Sequence, residues 1–181
     1  MSGVANDSVD DERNEEAGSW IVALDAVLTV AFAASAAVSS VAFAQPWKAV
    51  GVAVAVVCFA VGVVAFLWGY WSAVQRSRHD EISVAALYFL VDKCAPARVA
   101  RRMNTLLGAQ VVIGLATAIA RSSTDGKPGS TLAFGILVPM LGLGLNGLWG
   151  AHHGRFRPRI TGDTDEVRHD GGLTGQDESH D

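Results

Sequence analysis

Apolar residues run along this chain in long unbroken blocks, not in the amphipathic or alternating patterns of soluble helices and strands. Four blocks stand out, at residues 20–44, 49–71, 103–120 and 132–150. A helix rises 1.5 Å per residue and a bilayer's hydrocarbon core is about 30 Å thick, so a spanning helix needs about 20 mostly apolar residues. The first block carries a single charge, Asp25, and the second carries none. The third includes Asn104 and Gln110, and the fourth Pro139 and Asn146. Backbone groups in lipid must bond within their own segment, and barrel-type alternation is absent, so each block predicts a helix. The expected fold class is all-α: a polytopic membrane protein whose residues 19–160 form four transmembrane helices as two antiparallel hairpins.

The connections agree. Only residues 45–48 separate the first two blocks, and Pro46 suits a helix's first turn. A polar loop at 121–131, with turn formers Asp125–Gly126 and Pro128–Gly129, joins the last two. Pro96 marks an early start for the third helix, and Pro139 predicts a kink in the fourth. Gly142, Asn146 and Gly150 share one face of the fourth block. Ser35/Ser39 and Gly51/Ala55 offer small surfaces for close packing of the first two. Between the hairpins, residues 80–91 predict a short interfacial helix, with Asp80 as cap and Glu81 in its first turn.

Charge fixes the orientation. The segments 1–18 and 161–181 hold six acids against Arg13 and seven against Arg168, with little that could build a core. Both are expected to be disordered acidic tails. Nine arginines and lysines lie in the middle connection or just after the fourth block, against Lys48, Arg121 and Lys127 on the other side. Basic loops stay inside, so both termini are expected in the cytoplasm of a bacterial cell membrane. Trp20, Trp68, Trp71 and Trp149 at one interface and Trp47 at the other agree. Residues 42–44 scan like a signal-peptidase site, but the preceding segment is acidic and the apolar block too long.

Candidate chemistry is sparse. No GxSxG, HExxH, P-loop or dinucleotide fingerprint occurs, and adjacent His152 and His153 point too far apart to share an ion. Gly142 to Gly147 scans as a phosphate loop but sits within an apolar block. Cys58 and Cys94 are expected as ordinary small apolar residues without a disulfide. No catalytic, cofactor-binding or metal-ligating residue is expected, nor any nucleic-acid partner, and the chain reads as a non-enzyme. The interaction candidates are Asp25, Arg76, Arg78, Asp80, Glu81 and Tyr88. Asp25 is expected to pair with Arg76 or Arg78, with a transport or relay role as its sharper reading. The remaining five fall in residues 76–90, a stretch too apolar for water and too short to span. It is expected to lie against lipid, the bundle or a partner, and Arg155, Arg157 and Arg159 beside His152 and His153 to meet anionic lipid head groups on the cytoplasmic face.

Residues 76–90 and 134–154 together resemble small uncharacterised four-helix membrane proteins of high-GC Gram-positive bacteria, over roughly residues 60–160. The resemblance implies the same architecture and no particular activity. The expected function is that of an accessory or scaffolding subunit of a larger envelope complex, with a membrane-protein partner or a second copy bound. The alternative is a small transporter or channel, which requires Asp25, Asn104, Gln110 and Asn146 to converge on a wet cavity.

Overall fold

The computed structural model describes residues 18–42, 45–120, 123–124, 127–128 and 135–158. The expected acidic tails, Gly18 apart, lie outside the described residues. Five helices dominate: α1 Ser19–Ala42, α2 Gln45–Arg76, α3 Val84–Phe89, α4 Ala97–Ala120 and α5 Pro139–His153. Four two-residue strands accompany them: β1 Asp80–Glu81, β2 Ser123–Thr124, β3 Lys127–Pro128 and β4 Arg157–Pro158. Strand β1 pairs antiparallel with β4, and β2 with β3.

Three helices, α1, α2 and α4, are long and apolar enough to cross a membrane. Val30, Val64, Val112 and Ile119 stand exposed on their outer sides. In water each such side chain would cost about 1.5–3 kcal/mol of forgone burial, whereas lipid tails solvate it as well as a core does. The chain therefore fits a membrane.

The fourth block folds differently from its expected form. Pro139 does not kink a long helix but starts a 15-residue one, directly after the N-cap Val138 and a 3-10 turn at 135–137. A first-turn N–H has no helical acceptor in any case, so the proline's missing donor costs nothing there. The expected helix over 80–91 is also corrected. Arg76 takes the Asp80 carboxylate, residues 80–81 pair as β1, and Ser83 becomes the cap, its Oγ accepting from the Ala86 N–H at 3.0 Å. Helix α3 then ends at Leu90 in the left-handed region.

Helix α5 is the most enclosed element and touches each of the other four. Its tightest contact is with α2. A methyl group added at Gly62 would fall 2.5 Å from the Leu141 N, and one at Gly144 would strike the Gly62 carbonyl. Only glycine lets these backbones meet. Further along, Gly69 meets Gly147 and Leu148, so residue numbers rise together on α2 and α5. Against α4 they run in opposite senses, Gly114 meeting Gly135 and Leu107 meeting Gly142. Gly51 meets Ser39, whose hydroxyl donates to the Trp47 carbonyl at 2.8 Å, which fixes α1 beside α2. The expected face of α5 is divided among neighbours: Gly142 meets α4, while Gly150 meets Leu87 of α3.

Candidate functional site

The polar side chains inside the apolar helices form two tiers. In the first, Gln110 on α4 is fully buried. Its Nε2 donates to Asp25 Oδ1 at 2.9 Å and to Thr29 Oγ1 at 2.8 Å, both on α1. Its Oε1 accepts from the Gly142 N–H of α5 at 3.1 Å. Gly142 lies in the first turn of α5. One side chain thus joins three helices. Asp25 is fully buried too, and its Oδ2 has no partner among the described residues.

The second tier lies one turn along α5. Asn146 Nδ2 donates to the Tyr88 carbonyl at 2.9 Å and to Asn104 Oδ1 at 3.1 Å, and Asn104 Nδ2 donates to the Phe89 carbonyl at 2.6 Å. The two asparagines satisfy the last carbonyls of α3, which no further helical turn could reach. Asn146 Oδ1 and Trp149 Nε1 have no partner among the described residues.

The expected ion pair between Asp25 and Arg76 or Arg78 is overturned. Asp25 faces α4, and Arg76 is committed at the end of α2. The Arg76 Nη1 donates to the Ala151 carbonyl at 2.9 Å, and its Nη2 to the Gly154 carbonyl at 3.2 Å and Asp80 Oδ2 at 3.1 Å. Its guanidinium also lies 5.3 Å from the centre of the Phe156 ring. A cation on the last carbonyls of α5 meets the negative end of that helix dipole. Arg78 is exposed.

Of the other candidates, Tyr88 is buried against Phe66, ring centres 4.4 Å apart and nearly parallel, and burial pushes its phenol up to about 12. Asp80 belongs to Arg76, and Glu81 is exposed on β1. Of residues 76–90, expected against lipid, the bundle or a partner, Arg76, Asp80 and Tyr88 are spent inside the fold, while Arg78, Glu81, Val84 and Phe89 are among those that face outward. Cys94 Sγ donates to the Ala86 carbonyl at 3.0 Å, and burial, with Asp92 nearby, pushes its thiol up to about 11.

Sequence reading missed Thr29 and Ser83. The signal for Thr29 was its spacing four residues from Asp25, which puts both on one face. It also left the arginines of α4 as orientation signals only. They line a cavity of 680 Å³ between the first turns of α1 and α4, and a second of 750 Å³ opens beside Cys94, Arg155 and Arg157. No protein-family model matches this chain, and no curated protein or solved structure is similar to it.

Proposed function

We propose that this chain is a non-catalytic membrane protein serving as an accessory or scaffolding subunit of a larger envelope complex. It crosses the bilayer four times as two antiparallel hairpins, with α5 as the fourth crossing and both termini in the cytoplasm. The resemblance of residues 76–90 and 134–154 to small four-helix membrane proteins belongs to the same proposal.

The observation that carries it is the use to which the buried polar groups are put. Gln110, Asn104 and Asn146 each spend their amides on tying one helix to another, and Arg76 ties the end of α5 to α2. This is the chemistry of a rigid unit. The parallel run of α2 and α5 supports a fourth crossing in the same direction as the second. Outward side chains of the basic end, Val84 and Phe89 with Arg78 and Glu81 among them, supply the docking surface.

A photo-crosslinking residue placed at Phe89 in the full chain, in intact cells, should yield one discrete adduct with another membrane protein or a second copy. The same residue at Tyr88 should yield none. Equal labelling from both positions, or only lipid adducts from Phe89, would sink the scaffold reading. The transporter alternative retains one favouring observation, the Asp25 Oδ2 that has no partner among the described residues.

A further inference from the structure

The cavity between α1 and α4 combines two surfaces that seldom meet. One wall carries Arg98, Arg101 and Arg102, at helical spacings of three and four, so their side chains rise from one side of α4. All three are exposed, and among the described residues none of them makes an ion pair and no acidic side chain lines the cavity. Ser19 and Thr105 also line it. Deeper, the walls turn apolar, formed by Val22, Ala23 and Ala26 of α1 and Leu106 of α4.

Helices α1 and α4 run in the same direction here, since Ser19 shares the cavity with Arg98, Arg101 and Arg102, and Asp25, further along α1, meets Gln110, further along α4. Both therefore present their positive ends at this rim, which adds to the arginines' attraction for an anion. The groove continues from that rim along the apolar flanks of two helices suited to a membrane. A cationic mouth leading into an apolar furrow matches a molecule with a phosphate at one end and an acyl chain at the other.

We propose that this groove is a binding site for one anionic phospholipid, its phosphate held by Arg98, Arg101 and Arg102 and an acyl chain laid over Val22, Ala23, Ala26 and Leu106. Guanidinium groups donate in pairs to phosphate oxygens, so the arginines give geometric preference as well as charge. A zwitterionic lipid brings its own ammonium against the same three cations and binds less well. The site deepens the expected contact with anionic head groups and rests on the membrane reading of α1 and α4, not on any partner protein.

The test uses the full chain, purified in mild detergent with phosphatidylglycerol and phosphatidylcholine in equal amounts, and counts retained lipids by native mass spectrometry. One phosphatidylglycerol should be retained per chain in preference to phosphatidylcholine. The variant with Arg98→Gln, Arg101→Gln and Arg102→Gln should lose that preference by on the order of a hundredfold, from about a tenfold loss per 1.4 kcal/mol and about 1 kcal/mol per basic residue. Ala23→Trp, which fills the furrow and leaves every charge, should also release the lipid. Excess inorganic phosphate should leave it bound. Equal retention of the two lipids by the native chain, unchanged retention in either variant, or release by phosphate alone would overturn the site. Flotation with pure phosphatidylcholine vesicles separates this from the premise: native chain and variants should all float, and failure of the native chain would overturn the membrane reading and the lipid site with it.

Discussion

Gln110 holds two acceptors on α1 and one donor on α5, so its loss would untie three helices at one point. Single interhelical hydrogen bonds in membranes average only about 0.6 kcal/mol. The larger cost comes from stranding a buried polar group, about 1–3 kcal/mol. Gln110→Leu should therefore lower stability in detergent by roughly 2 kcal/mol, because it strips Asp25 of its shortest bond. Asp25→Asn keeps an acceptor facing Gln110 and should cost less. Thermal unfolding of both variants checks the order, and a larger loss for Asp25→Asn would contradict it. Unchanged stability with lost cellular function in Asp25→Asn would instead favour transport. A second expectation concerns Cys94, whose burial holds the thiol protonated. The thiolate is the reactive form, so alkylation should be negligible at pH 8 and rise only as pH nears 11. Rapid labelling of Cys94 at pH 8 in the folded protein would refute the packing of α3 over it. At this scale the sequence displayed which residues matter: a carboxylate and three amides in apolar blocks. Their partners were not legible. Asp25 was matched to the nearest opposite charges, whereas the rotation of α1, set by packing, turns it towards an amide.

The existence of the long helices was the most legible feature of the chain, although α2 runs past its expected 49–71 at both ends and takes in the expected connection 45–48. Unbroken apolar runs and flanking prolines give α1, α2 and α4 almost directly, since both follow from local covalent chemistry. The start of α5 and the register of β1 were less legible, because each depends on contacts distant in sequence. Pro139 reads alike as a kink or a first turn until its neighbours are known. Asp80 reads as a cap until Arg76 is seen to take its carboxylate. Close packing of α2 on α5 supplies the test at this scale. Gly62→Val forces a branched side chain into the backbone of Met140 and Leu141, and overpacking of this kind costs about 1–3 kcal/mol or more. A Cβ added at Gly108 meets nothing within 4 Å, so Gly108→Val should leave thermal unfolding nearly unchanged. Equal effects from the two substitutions would contradict the observed approach of α2 and α5.

For the whole molecule, the central claim is the four-crossing path with both ends inside. Its sequence support is the nine-to-three distribution of basic residues. Its structural support is the sense in which α5 lies along α2 and against α4. Both native cysteines are buried, so a membrane-impermeant thiol reagent will report cleanly on introduced ones. The most direct measurement is labelling of Gly126→Cys, Glu81→Cys and Ile160→Cys, one at a time, in sealed right-side-out membranes. Gly126→Cys should label at once, and Glu81→Cys and Ile160→Cys only after the membranes are opened. Labelling of Ile160→Cys from outside would show that α5 does not cross, and labelling of Glu81→Cys from outside would invert the whole arrangement.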